Sequence, residues 1–278
     1  MKAYYLFLLI FLYAGCTSEV QDKVNLLNRK LEVTPILSLS FDSLLLDVHK
    51  LPSRQQVAIL YQVACRKEEE IDGLLKQKTI LLESLPIASQ KEKKKILLQL
   101  LELYKKLVEQ RVFGAEIKGI QLCKELEANY SFSQEEEWAI KKIKASFLNR
   151  RGLHEQYLPI WFELLAEHRT ANKPILIIED LYTIANYFSM LGDQEKAIAL
   201  YKEAYQLAIN NNLPDMINKC FSLLIYLLYN SKQYSEVISY TNKVDIDSMA
   251  VSIPSIYPLL STSYLELQKP DSARFYLT

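Results

Sequence analysis

Apolar residues recur along most of the chain at spacings of three and four, the period of a helix buried on one face. From Val57 to Leu85 the stretch VAILYQVACRKEEEIDGLLKQKTILLESL reads as one long amphipathic helix stopped by Pro86. In ILLQLLELYKKLVEQRVFGAEIKGIQLCKELEANY the same spacing predicts a helical hairpin. Its first helix would bury Leu97, Leu100, Leu101 and Tyr104, and its second Ile117, Ile120 and Leu126. From Thr17 to about Ser40 no stripe is sustained, and this part reads as a partly ordered tether leading to FDSLLLDVHKLP. At the other end KPDSARFYLT leaves room for about two helical turns. Their core face, Ala273, Tyr276 and Leu277, is expected to lack a covering helix, which points to an array truncated relative to its relatives, or to docking of this end on a partner or a second copy.

Beneath the helical stripe lies a longer repetition. The unit LYTIANYFSMLGDQEKAIALYKEAYQLA, from Leu181 to Ala208, sets Leu181, Ile184, Ala185 and Phe188 on a first helix. Gly192-Asp193 makes a turn, and Ala197, Tyr201 and Ala204 follow on a second helix. Small residues facing bulky ones let two antiparallel helices approach closely, and the turn wants a residue that tolerates positive φ. Upstream, Ala145 and Leu148 lead through Gly152 to Tyr157, Trp161 and Leu164. Downstream come Phe221, Leu224, Ile225, Leu228, Val237 and Val244, then Tyr257, Leu260, Ser261, Tyr264 and Ala273. Equivalent second-helix positions are Tyr157, Ala197, Val237 and Ala273, separated by 40, 40 and 36 residues. The pattern resembles the tetratricopeptide repeat, TPR, whose period is about 34. Longer helices, or longer inter-repeat loops such as INNNLPD, would absorb the difference. The resemblance implies an all-α chain folded as a right-handed α-solenoid of TPR-like helical hairpins.

The N-terminus has a different pattern. Met1-Lys2 supplies one positive charge, and Ala3 to Gly15 is an unbroken run of apolar and small residues. Such a run is too short to span a bilayer, which takes about 20 residues, and it fits the apolar region of a secretory signal peptide. Ala14 and Gly15 stand immediately before Cys16, and Thr17-Ser18-Glu19 turns the chain polar at once. This resembles the lipobox of bacterial lipoproteins, with Tyr13 where leucine is usual. The resemblance implies diacylation of Cys16 and cleavage before it; simple signal-peptide cleavage and an uncleaved anchor are the alternatives. Each acyl chain contributes about 0.8 kcal/mol per buried methylene, so two or three chains would hold the protein on a membrane without spanning it. The expected organisation is a signal peptide over 1–15 and a lipidated tether over 16–40. An N-terminal helical region with a degenerate repeat would cover 41–135, and TPR-like repeats 136–278, the last incomplete. The expected location is exported and membrane-anchored, facing the periplasm or cell surface of a Gram-negative bacterium.

Composition and charge narrow the chemistry. The 33 lysines and arginines match 33 acidic residues, so no global field draws the chain to nucleic acid. The basic run at Lys91 and Lys93-Lys94-Lys95 lacks interleaved aromatics and opens an amphipathic helix, and no nucleic-acid partner is expected. With 6 glycines and 9 prolines there is little material for hairpin turns, and no phosphate-loop, Rossmann or nucleophile-elbow pattern occurs. His49, His154 and His168 show no metal-ligand spacing and read as surface or hairpin-edge imidazoles. Cys65, Cys123 and Cys220 lie inside helical stripes and read as small core hydrophobes. Glu68 to Glu70 and Glu135 to Glu137 read as solvated faces, the second set near a helix N-terminus after Ser133. No enzyme, metal or cofactor is expected.

TPR proteins bind peptides or protein partners on the surface lined by the first helix of each hairpin, as the resemblance implies. Carried onto this sequence, those groove positions are Lys142, Asn149 and Arg150, then Tyr182, Asn186 and Met190, then Tyr226, Tyr229 and Asn230. Asn186 matches the position where the family often keeps an asparagine bonded to the ligand backbone. The expected function is a lipid-anchored TPR scaffold that binds a peptide or protein in the cell envelope. Two alternatives stand beside it. One is a sensory input domain of a truncated, membrane-associated transcription regulator, and the other a glycan-binding helical lipoprotein.

Overall fold

A computed structural model of the chain describes residues 18–66, 68–244 and 255–276. Cys16 and the apolar run before it lie outside the described residues. Among those described there are fourteen α-helices and no strand, so the fold is all-α, built of TPR-like helical hairpins. Backbone contacts divide the chain into two units, residues 1–153 and 154–278.

The first unit holds seven helices: α1 Ser18–Val33, α2 Leu39–Val48, α3 Ser53–Ala64, α4 Ile71–Ser84, α5 Gln90–Glu109, α6 Ala115–Asn129 and α7 Gln134–Arg150. Consecutive helices pack on one another, with α5 also reaching α7. The stretch expected to be a tether is α1, and its Val24, Leu27 and Leu31 are buried in the core of this unit. Three apolar residues on one narrow stripe suffice because Ile36 and Phe41 close over the same core.

The long helix expected from Val57 to Leu85 is broken between Ala64 and Ile71 into α3 and α4. No proline or glycine marks the break; tertiary hydrogen bonds stabilise it. The Arg66 guanidinium donates to the carbonyls of Leu31 and Thr34 at the end of α1, at 3.2 and 3.0 Å. The buried Gln77 amide donates to the Arg66 carbonyl at 2.8 Å. Cys65, expected in the core, is an exposed residue at the end of α3, whereas Cys123 and Cys220 are buried.

In the hairpin of α5 and α6 the first helix buries Leu97, Leu100 and Leu101 as expected, but the second turns a different face inward. Ala115, Gly119, Leu122, Cys123 and Leu126 are buried, while Ile117 is exposed and Ile120 half-buried. The cause is close approach. A Cβ on Gly119 would fall 2.2 to 2.7 Å from the Phe147 ring, so α6 can meet α7 only through hydrogen at this position. Serine-glutamate capping boxes start α5 (Ser89, Glu92) and α7 (Ser133, Glu136).

The second unit continues with α8 His154–Thr170, α9 Pro174–Met190, α10 Gln194–Asn210, α11 Pro214–Asn230, α12 Tyr234–Thr241, α13 Ile256–Glu266 and α14 Pro270–Phe275. From α7 to α11 every helix is 17 residues long, and three residues join it to the next. Each junction has a left-handed residue: Gly152, Asn172, Gly192, Asn212 and Lys232, spaced by 20. Each also has the same six-residue backbone bond, from Leu153, Lys173, Asp193, Leu213 and Gln233 to the carbonyls of Leu148, His168, Phe188, Ala208 and Leu228. This is the Schellman closure that satisfies the last carbonyls of a helix. The 40-residue hairpin period therefore comes from longer helices and not from longer loops.

Leu181, Ile184, Ala185, Ala197, Tyr201 and Ala204 are all buried, as are Phe221, Leu224, Ile225, Leu228 and Val237. Departing from the expected edge position, His168 is fully buried, with Nδ1 2.5 Å from the equally buried Asp180 carboxylate. The pair ties α8 to α9. At the C-terminal end Ala273 is fully buried, and the Tyr276 ring stacks on Tyr264 and Tyr257, with centroids 5.7 and 6.3 Å away. The α14 face is thus partly covered by α13, although Phe275 remains 76% exposed, and Leu277 lies outside the described residues.

Candidate functional site

The clearest constellation forms on α9, α10 and α11 of the second unit. Tyr182 and Asn186 lie four apart on α9 and so share one face. Tyr201, buried on α10, meets the Tyr182 ring edge-on at 5.7 Å and donates its hydroxyl proton to Asn186 Oδ1 at 2.6 Å. Burial, with a further push from Tyr182 and Cys220, drives the Tyr201 phenol above the usual tyrosine range, so the hydroxyl stays protonated and donates. With its oxygen occupied, the half-buried Asn186 amide has its two N–H groups for other partners.

From α11, the Lys219 ammonium sits 4.1 Å from the centre of the Tyr182 ring, an attraction to the negative face of the aromatic. Lys219 occupies the position 40 residues after Glu179, so one repeat step reverses the charge on this face. The sequence reading missed Tyr201 as an orienting residue and Lys219 as a neighbour. The 40-residue period held the signal for the lysine, because Glu179 stands three residues before Tyr182 on the same helix face.

The structure brings only some of the expected groove residues together. Tyr182 and Asn186 are joined through Tyr201. Met190 and Tyr226 are exposed at 77% and 55%, and Asn230 is exposed at the end of α11. Tyr229 does not stand on an open face: it is half-buried against the core and meets Tyr234 of α12 edge-on at 5.7 Å. Lys142, half-buried, and Asn149 and Arg150, both exposed, lie on α7 in the first unit.

A second aromatic group joins His154 and Tyr157 of α8 to Tyr187 of α9, with centroids 5.4 to 6.5 Å apart. Burial and the neighbouring Tyr187 push the Tyr157 phenol up to about 12. These rings fill the space between them, which suits packing more than ligand capture. Among the described residues no group of three or more His, Cys, Asp or Glu side chains is placed to hold a metal ion. Nor is any described helix long and apolar enough to cross a membrane.

No protein-family model matches the sequence, and none of the curated proteins matches it. Solved structures do. The chain is similar to aspartyl phosphate phosphatase F from Bacillus subtilis, with a TM-score of 0.58 and 15% identity over 95% of this chain and 84% of that one. It is also similar to a signal transduction ATPase with numerous domains that has a tetratricopeptide repeat sensor, from Pyrococcus horikoshii. There the TM-score is 0.54 at 15% identity over 91% of this chain, which spans 40% of the length of that protein. Both likenesses are to the fold. It is a TPR-like helical repeat.

Proposed function

We propose that this chain is a non-enzymatic TPR-like scaffold that binds a peptide or protein segment on the face formed by α9 and α11. The observation that carries the reading is the Tyr201 to Asn186 hydrogen bond beside the Lys219 and Tyr182 pair. An amide fixed by its own scaffold loses little freedom when it meets a ligand carbonyl, and a lysine already held against a ring is likewise pre-organised. Together they supply donors, which suits the carbonyls and carboxylates of a polypeptide. Lipid anchoring through Cys16 and an envelope location complete the proposal; their support is the sequence of 1–19 alone.

A second reading, a sensory input module, draws support from the Pyrococcus protein, whose tetratricopeptide repeats are described as its sensor. It uses the same face, with the bound segment acting as a signal.

The test is affinity capture from bacterial membranes with the full protein as bait. The double change Asn186→Ala with Lys219→Ala should reduce recovery of a captured partner about 10- to 100-fold, the equivalent of about 1.5–3 kcal/mol. Unchanged recovery would remove the site from this face. Labelling with a palmitate analogue separates the anchor from the site: Cys16→Ala should abolish the label, and equal labelling of both proteins sinks the lipid reading.

A further inference from the structure

The first unit contains a cleft of about 620 Å³ bounded by α4, α5, the turn over 111–114 and α6. Its size falls within the range of small-molecule sites, roughly 300–1,000 Å³. The interior is aliphatic, with Leu75, Leu85, Leu97, Leu107 and Val112 among its walls. Of the two rings that line it, Tyr104 and Phe113, the tyrosine is kept neutral by burial, which pushes its phenol upward. Every lining group that carries a charge is a long side chain: Lys78 of α4, and Lys118 and Glu125 of α6.

The two lysines are the informative pair. Both line the cleft and neither makes an ion pair among the described residues, whereas Lys76, two residues before Lys78 on the same helix, pairs with Asp42. The cleft therefore combines a hydrocarbon interior with an excess of positive charge. Phe113 adds an unusual feature, being 99% exposed while also lining the cleft, in a turn with left-handed Arg111 and Gly114 at its ends. A phenyl ring with nothing against it stands beside a cavity it could help to cover.

We propose that this cleft binds a fatty acid of medium chain length, with the alkyl tail against the leucines of α4 and α5 and the carboxylate at Lys78 and Lys118. Charge complementarity selects an anion over a neutral or cationic amphiphile, and the largely aliphatic interior selects a chain over a compact polar metabolite. One chain with a small head suits a cavity of this size better than a two-chain lipid. The site is separate from the α9 and α11 face and does not depend on the peptide reading.

The experiment is displacement of a fluorescent fatty acid from the delipidated full chain, below the micelle concentration of every competitor. Octanoate, decanoate and dodecanoate should compete at a single saturable site, tightening about two- to fourfold per added methylene. Dodecyltrimethylammonium, with the same tail and opposite charge, should bind at least about tenfold more weakly than dodecanoate. Replacing Lys78→Gln and Lys118→Gln together should erase that preference, and Phe113→Ala should weaken dodecanoate about threefold or more. The Phe113 side chain is almost wholly exposed and neither lysine makes an ion pair, so circular dichroism of these variants should match the parent. Absence of saturable displacement, or equal affinity for the cationic amphiphile, overturns the proposal. So does an acidic amphipathic peptide that displaces the probe at lower concentration than dodecanoate, because the cleft would then be a protein-docking groove.

Discussion

At the scale of single residues, the second unit holds a buried polar pair between its first two helices. His168 and Asp180 are both fully buried, with Nδ1 and Oδ2 2.5 Å apart, so these two atoms pair with each other where water cannot reach. Asp180→Ala should lower stability by about 3 kcal/mol in urea unfolding, because the imidazole stays buried while its contact with the carboxylate is lost. The double change His168→Phe with Asp180→Leu should recover most of the loss, since it removes both buried polar groups of the pair together. A double variant as unstable as the single would show that the pair also fixes the packing of α8 on α9. The burial of His168 is legible in the sequence, where it extends the inward stripe of Tyr157, Leu164 and Leu165 at helical spacing. The partner was harder to find, because nothing in a single sequence says that position 180 on one stripe meets position 168 on another.

At the scale of helices, the repeated turn is the device that sets the repeat. Glycine serves at 152 and 192 and asparagine at 172 and 212, the residue types best suited to positive φ. Lys232, at φ 58°, and Gln268, at the same angle, occupy that conformation with a full side chain. Lys232→Gly should raise stability by about 0.5–1 kcal/mol, read from the denaturation midpoint, because it relieves the left-handed penalty at an exposed site. Helices whose caps and small residues have strong sequence signatures were readable, and α9 and α10 follow the expected positions almost residue for residue. Those shaped by long-range contacts were not. The break after Ala64 depends on Arg66 reaching the end of α1, and the face of α6 depends on Phe147 lying against Gly119. Both signals sit in residues far along the chain, where local periodicity has no access to them. Of the candidate site, the Tyr182 and Asn186 face was legible from the repeat, whereas the hydroxyl that orients the amide and the lysine beside the ring became visible only in three dimensions.

At the scale of the molecule, charge balance matters more than any local charge. The chain has 33 cations and 33 anions, a sequence pI near 6.8, and exposed apolar side chains at Phe113, Met190 and Phe275. Without net repulsion, such surfaces associate most readily. Light scattering against pH should therefore show a maximum of self-association near 6.8 and a fall toward pH 5 and pH 9. A profile flat in pH would mean that association, if present, runs through a specific contact such as the C-terminal helices. The even spacing of the left-handed turns has another consequence. A segment such as 174–213 begins with Pro174 just after one Schellman closure and ends just before Pro214, after another. Its two ends are chemically interchangeable, so a duplicated copy meets its neighbours through the same joint. Growth or loss of the array in 40-residue cassettes is thereby open to evolution, and to an engineer, without a new linker.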